Sequence, residues 1–300
     1  MELFNFNFKA MGSPCSLSFY APSASYANDT FVKARAAIAQ LEQTYSIYKP
    51  DSLVCQINQN AGIRPILIDN QTYCLLKYAD QAYQLSGGIF DITSGVLSDL
   101  WDFRQAKIPQ DTQIKACKSL VDWTSVQWNQ TEIYLPQIGM KLDLGGIVKE
   151  YAADMLASLM KQNKIDHGLV ELGGDIYVLG EHLSGEPWLV DIKKPDSGKR
   201  PNRIAQIKMT RGGLASSGDY ERNFNYQGVN YCHIINPQTG WPAQGLTAVS
   251  VRAEQCVLAG TLATIAMLKG QAAIEWLNQL EVDFVAQDNK GILHTNYTNS

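Results

Sequence analysis

Apolar and polar residues alternate from the start of the chain. Phe4, Phe6 and Phe8 are separated by Asn5 and Asn7, a period of two that places three rings on one face of a β-strand. Cys15, Leu17 and Phe19 repeat the alternation after Met11-Gly12-Ser13-Pro14, so the first two strands are expected to pair as a hairpin. The period then changes. Phe31, Ala34, Ile38, Leu41, Tyr45 and Tyr48 recur three and four apart, the stripe of an amphipathic helix. Asn28-Asp29 is its expected start and Lys49-Pro50 its stop. A second helix is predicted from about Asp69 to Ser86, ended by Gly87-Gly88.

Further along, Val126 and Trp128 face Ile133 and Leu135 across Asn129-Gln130-Thr131, a hairpin signal. Ile147, Tyr151, Met155 and Leu159 predict a third amphipathic helix. Strands are expected at 168–172, 176–179 and 188–192, with Gly173-Gly174 as the break between the first two. A hairpin over 224–226 and 229–231, helices near 256–268 and 272–280, and a terminal hairpin turning at Asp288-Asn289-Lys290-Gly291 complete the pattern. Helices and hairpins are interspersed rather than alternating as β-α-β units. The expected class is therefore α+β, with mixed, largely antiparallel sheets and packed helices. Residues 1–300 are read as one domain with room for two intimately packed lobes, since no linker, repeat or low-complexity tract divides them.

Composition narrows the function. The 300 residues are 45% hydrophobic and 18% charged, with a net charge of −4. That balance excludes a disordered chain and argues against nucleic acid as a partner. No run approaches the roughly 20 apolar residues of a membrane span, so membrane insertion is not expected. The first residues lack the features of a signal peptide, which predicts a cytoplasmic protein. Six cysteines are dispersed without Cys-x-x-Cys spacing, as small buried hydrophobes would be.

Four short segments are rich in Gly, Asp, Thr and Ser: 11–13, 90–95, 142–149 and 233–240. Each has an ordinary structural use. Asp91-Ile92-Thr93 can cap a short helix, His233 can be a hydrogen-bonded strand residue, and 236–240 is a good turn sequence. The segment Asp143-Leu-Gly-Gly-Ile-Val-Lys149 says more. Two glycines opening a helix expose backbone N–H groups at its positive end. Lys149 sits in the first turn, against the local dipole, which suggests an anionic ligand such as a phosphate. The spacing is neither that of a Walker loop nor that of a dinucleotide fingerprint.

Taken in order, the motifs resemble a known family. They are Met-Gly-Ser (11–13), Tyr-Ser-Ile-Tyr-Lys-Pro-Asp-Ser (45–52), Phe-Asp-Ile-Thr-Ser-Gly-Val-Leu-Ser-Asp-Leu-Trp (90–101) and Leu-Asp-Leu-Gly-Gly-Ile-Val-Lys (142–149). Glu-Leu-Gly-Gly-Asp-Ile-Tyr (171–177), Ser-Ser-Gly-Asp-Tyr (216–220) and His-Ile-Ile-Asn-Pro-Gln-Thr-Gly (233–240) follow. This collinear set, from about residue 9 to residue 270, resembles the FAD:protein FMN transferases, the ApbE-like flavin transferases. The resemblance implies their fold, magnesium-assisted cleavage of FAD, attachment of FMN to a Thr or Ser of a target flavoprotein, and release of AMP. It also implies that Met11, Tyr48, Ile89, Phe90, Asp91, Asp143, Lys149 and Ile235 contact FAD. His233 becomes the candidate general base for the acceptor hydroxyl.

One position departs from the pattern. The resemblance implies a magnesium site built from the main-chain oxygen of Gly146 and from a helix carrying Asp and, four residues on, Thr. Thr264 is present, but Gly260 stands where the Asp belongs, and Ala263 offers no oxygen. Glu150, where a Gly is usual, adds a carboxylate nearby. Three functions follow as expectations: a transferase, an FAD-binding protein without chemistry, and an FAD pyrophosphatase giving FMN and AMP.

Overall fold

The structure, a computed structural model, describes residues 1–193, 203–220 and 222–298. β1 (Glu2–Ala10) and β2 (Ser13–Ala21) pair antiparallel around Met11-Gly12, both residues having positive φ. Helix α1 (Ala24–Tyr45) begins earlier than Asn28-Asp29 suggested. Its cap is Ser23, whose Oγ accepts the Tyr26 N–H at 3.3 Å. It ends at Tyr45, so Tyr48 belongs to the following loop rather than to the helix stripe. A short α2 (Leu53–Gln59), absent from the sequence reading, starts behind a Ser52 cap. After β3 (Ile66–Leu67), α3 (Asn70–Ser86) matches its predicted bounds. Asp69 accepts the Thr72 N–H at 2.8 Å, and Gly87, at φ 68°, stops the helix in the left-handed region.

Helices α4 (Gly95–Ser98) and α5 (Asp111–Lys118) and strands β4 (Gln127–Trp128) and β5 (Glu132–Tyr134) follow, β5 lying between β3 and β4. Next come α6 (Val148–Gln162), β6 (Gly168–Leu172), β7 (Asp175–Gly180), β8 (Trp188–Lys193), β9 (Arg203–Met209) and β10 (Gly212–Gly218). The chain continues through β11 (Asn223–Tyr226), β12 (Val229–Cys232), β13 (Leu246–Ala253), α7 (Cys256–Lys269), α8 (Ala273–Gln279), β14 (Asp283–Asp288) and β15 (Leu293–Thr295). Eight strands form one sheet in the order β1-β2-β6-β7-β10-β13-β14-β15. Every neighbouring pair in it is antiparallel, as the α+β expectation required.

The main core lies between one face of this sheet and α1, α6 and α7. Leu17, Phe19, Val170, Val249 and Val251 come from the strands, Ile38, Leu41, Leu156 and Leu262 from the helices, and all are buried. Removing such side chains from water supplies roughly 1.5–3 kcal/mol each. β8 and β9 cover part of the opposite face, where Val190, Ile192, Ile207 and Met209 meet Ile176, Val178 and Leu214. A third, aromatic cluster joins Leu97, Trp101, Phe224 and Ile235.

Helix α7 corrects one expectation. Residues Cys256–Gln279 are, by length and composition, apolar enough to cross a membrane, with a mean hydropathy of 1.4. In the fold this segment is mostly interior, because α7 lies on β10 and β13 with α6 beside it. A helix that is apolar all round is a core helix in such a position. Its close seating needs Gly213, where an added Cβ would fall 2.4 Å from the Cys256 nitrogen.

Candidate functional site

The segment leading into α6 is shaped by its neighbours. The Asp143 N–H donates to the Ile92 carbonyl at 2.8 Å, and Ser94 and Lys141 form a parallel bridge. The stretch around Phe90 therefore runs beside the one around Asp143. Asn58 clamps the second stretch from α2, accepting the Leu142 N–H at 2.7 Å and donating to its carbonyl at 2.9 Å. Asp143 Oδ1 accepts the Gly145 N–H at 2.8 Å, and burial pushes its carboxyl above the usual range. The Gly145 N–H thus serves the turn rather than lying open to a ligand, a correction to the sequence reading. Gly145 and Gly146 are nonetheless exposed. The Phe90 ring edge would lie 3.6 Å from a Cβ added at Gly146.

Inside the first turn of α6, Lys149 ion-pairs with Asp175, the first residue of β7. Asp175 is 1% exposed and also accepts the Ser216 N–H at 3.3 Å. The cation that the sequence set against the helix dipole is therefore balanced by a buried carboxylate. Gly173, at φ 60°, makes the turn before β7, and a Cβ there would sit 2.8 Å from Ser13 Cβ.

Glu150, the next residue, is buried against α7. A Cβ on Gly260 would lie 2.5 Å from Glu150 Cγ. Burial, and then the charge of Asp175, push the Glu150 carboxyl up to about 7, with Lys149 opposing. One turn along α7, Thr264 Oγ1 shares a 3.0 Å hydrogen bond with Ser217 on β10. Among the described residues no three His, Cys, Asp or Glu side chains cluster as a metal site, so a cation here would draw on hydroxyl, carbonyl and single-carboxylate oxygens.

Sequence reasoning missed Asp154 and Tyr78. Asp154, one turn beyond Glu150 on α6, caps α7 by accepting the Cys256 and Val257 N–H groups at 2.8 Å each. Tyr78 on α3 donates to the Val257 carbonyl and lies 3.0 Å from Thr261 Oγ1. The i, i+4 offset of Asp154 from Glu150 was a visible signal, but its partner lies too far along the chain for spacing to find.

Two of the other expected residues adjoin this centre, Met11 beside Lys149 and Phe90 beside Gly146. Met11 lines a narrow crevice with Ser13, Cys15 and Lys149, and its N–H donates to Glu42 at 3.1 Å. Tyr48 is 78% exposed. Ile89, Phe90 and Asp91 are buried. The Asp91 carboxylate accepts from Thr93 N–H and Oγ–H at 2.7 and 2.6 Å and from the Trp123 N–H at 3.3 Å. It holds the loop that presents Phe90. His233 is half-buried, and its N–H donates to the Arg222 carbonyl at 3.0 Å. Ile235 turns into the aromatic cluster, where Trp101 Nε1–H donates to the Gly240 carbonyl at 3.1 Å and fixes the His233 loop.

Comparison with known proteins follows the same outline. The chain is 29% identical over 264 residues to the FAD:protein FMN transferase of Vibrio cholerae serotype O1, covering 85% of this chain and 78% of that protein. It is 30% identical over 280 residues to that of Treponema pallidum, covering 87% and 77%. The crystal structure of the ApbE protein from Thermotoga maritima superposes with a TM-score of 0.89 at 25% identity, covering 98% of this chain and 97% of that one. The model of the ApbE family matches residues 11–286, and the chain belongs to that family.

Proposed function

We propose that this protein is an FAD:protein FMN transferase. In the reaction, a Thr or Ser hydroxyl of a target flavoprotein attacks the FMN-side phosphorus of FAD. A new phosphoester bond forms, the pyrophosphate bond breaks, and AMP leaves. The observation that carries the reading is the exposed Gly145-Gly146 turn at the start of α6, with Lys149 in its first turn and Phe90 against it. With the Gly145 N–H taken by Asp143, it is the positive dipole end of the helix that favours phosphate oxygens here. Lys149, anchored by Asp175, places a cation beside that helix start. Met11, Ile89, Asp91, Asp143 and Ile235 complete the FAD cradle in this reading, and Tyr48 stacks on a ring of the cofactor. His233 accepts the proton of the attacking hydroxyl.

The donor set fits a hard divalent cation such as Mg²⁺, with the Gly146 carbonyl and Thr264 hydroxyl as ligands beside the orphaned oxygen of Glu150. When bound, the ion neutralises charge on the pyrophosphate. The proposal includes a cytoplasmic compartment, which cell fractionation tests directly.

The activity test is direct. The purified protein is incubated with FAD, Mg²⁺ and an acceptor domain bearing the target threonine, and intact mass and free AMP are followed. An FMN-sized mass increase on the acceptor with one AMP released per adduct is the expected result. FMN and AMP without an adduct would make the protein a pyrophosphatase, and intact bound FAD would make it a binder.

A further inference from the structure

Glu150 and Gly260 are complementary across the α6–α7 contact. A Cβ at Gly260 would lie 2.9 Å from both Cδ and Oε1 of Glu150, as well as 2.5 Å from its Cγ. The room that a side chain at 260 needs is filled by a carboxylate from the other helix. Glu150 is 8% exposed, and its Oε2 has no hydrogen-bond partner among the described residues. A buried carboxylate oxygen with no donor is costly, and packing alone does not require one, since an apolar side chain would fill the same space. An orphaned, desolvated oxygen of this kind fits a cation.

The surroundings point to the same ligand. Thr264 lies four residues after Gly260, on the same face of α7, with its hydroxyl turned toward Ser217. Gly146 lies four residues before Glu150, in the turn that enters α6. Asp175, the other carboxylate beside Glu150, is engaged by Lys149 and the Ser216 N–H. Among the described residues Glu150 Oε2 has no hydrogen-bond partner, although the Glu150 carboxyl also faces that of Asp175.

We propose that Glu150 is the protein carboxylate for the divalent cation of this enzyme, replacing from α6 the ligand that α7 lacks at Gly260. Packed helices sit about 8–10 Å apart, so a carboxylate brought from the neighbouring helix needs the reach of Glu. Gly at 260 is the matching half of the exchange, because any side chain there would displace Glu150. Hard oxygen donors from Glu150, Thr264 and the Gly146 carbonyl suit Mg²⁺ or Mn²⁺, the remaining positions going to phosphate oxygens and water. This inference rests on the flavin-transferase reading for its choice of ligand class.

The test measures Mn²⁺ binding from the electron paramagnetic resonance signal of the free ion, with and without FAD, while thermal melting monitors the fold. Glu150→Gln is near-isosteric and should remain folded while weakening Mn²⁺ binding at least about tenfold. Gly260→Asp alone should bind no better than the wild type, because Glu150 occupies the space. The exchanged variant, Glu150→Gly with Gly260→Asp, should regain Mn²⁺ affinity to within a fewfold. Wild-type Mn²⁺ affinity in folded Glu150→Gln overturns the proposal. So does tighter binding by Gly260→Asp alone. Mn²⁺ held through Glu150 in a protein that transfers no FMN would sink the functional reading and leave this inference standing. FMN transfer with unchanged Mn²⁺ affinity in Glu150→Gln would do the reverse.

Discussion

Asp154 Oδ2 accepts the main-chain N–H of Val257 at 2.8 Å, so a carboxylate on α6 caps the start of α7. Its other oxygen takes the Cys256 N–H at the same distance. Gln255, at the cap position itself, makes no side-chain cap bond, and the duty falls to a residue 102 positions earlier than Cys256. The bond ties the helix bearing Glu150 to the helix bearing Gly260 and Thr264.

Asp154→Ala should therefore destabilise the protein by about 2–3 kcal/mol, adding a lost cap to a lost charge–dipole attraction. Asp154→Asn, which keeps one acceptor, should lose about half as much. Urea denaturation gives both numbers. Cation binding should weaken in Asp154→Ala although Asp154 contacts no proposed ligand, and unchanged binding would mean that α7 is held in place by other contacts.

Lys149 and Asp175 give a second prediction. Asp175 is almost fully buried while Lys149 remains partly open, so removing the lysine strands a charge in the interior. Lys149→Met should cost about 3 kcal/mol. Adding Asp175→Leu to it should recover much of the loss, since the stranded charge disappears. In a double-mutant cycle that includes Asp175→Leu alone, single losses that simply add in the double variant would show that the pair is not coupled.

Ionisation of buried acids sets the alkaline limit. Burial pushes the Cys232 thiol up to about 11 and the Tyr78 phenol up to about 12, and it holds Cys256 well above an ordinary thiol. Tyr45 is raised for the same reason. In each case the folded pKa exceeds the unfolded one, so the stabilisation is whole below the unfolded value and is lost as pH climbs toward the folded value. The melting temperature should fall steadily from about pH 8.5 to pH 11. Cys232→Ala should shallow that fall whatever it does to stability at neutral pH. Exposed Cys74 should react first with a thiol reagent at pH 8. Labelling of Cys232 at the same rate would contradict its burial.

What the sequence disclosed follows the range of the interactions. The bounds of α3 were legible because Asp69 and Gly87 act on their own neighbours. The β11–β12 hairpin was legible because Gln227 and Gly228 carry the positive φ its turn requires. The start of α1 was misplaced because Asn28 and Asp29 imitate a cap inside a helix that Ser23 already begins. The glycine turn before α6 was found from its residues. The partner of Lys149 was not, because Asp175 arrives from a strand beyond another turn. In the sequence Glu150 and Gly260 appeared as two departures from a pattern, a carboxylate gained near the one lost, with no sign that they touch. It takes the packing of α6 on α7 to make them one feature.

Tyr48 and Asp91 should separate binding from folding. Tyr48 is largely exposed in the loop after α1, so Tyr48→Ala should change stability by less than about 0.5 kcal/mol. If its ring stacks on FAD, the same change should weaken FAD binding roughly tenfold, in line with about 0.5–1.5 kcal/mol for an aromatic pair. Tyr48→Phe should bind as the wild type does, since stacking needs the ring and not the hydroxyl. Asp91→Ala should behave in the opposite way: its carboxylate holds three groups of the loop behind Phe90, and its loss should cost about 2–3 kcal/mol of stability before any ligand is added. Flavin fluorescence titration beside thermal melting reads both quantities on the same samples. Unchanged FAD affinity in Tyr48→Ala would remove Tyr48 from the cofactor site and leave the exposed ring free for the acceptor protein.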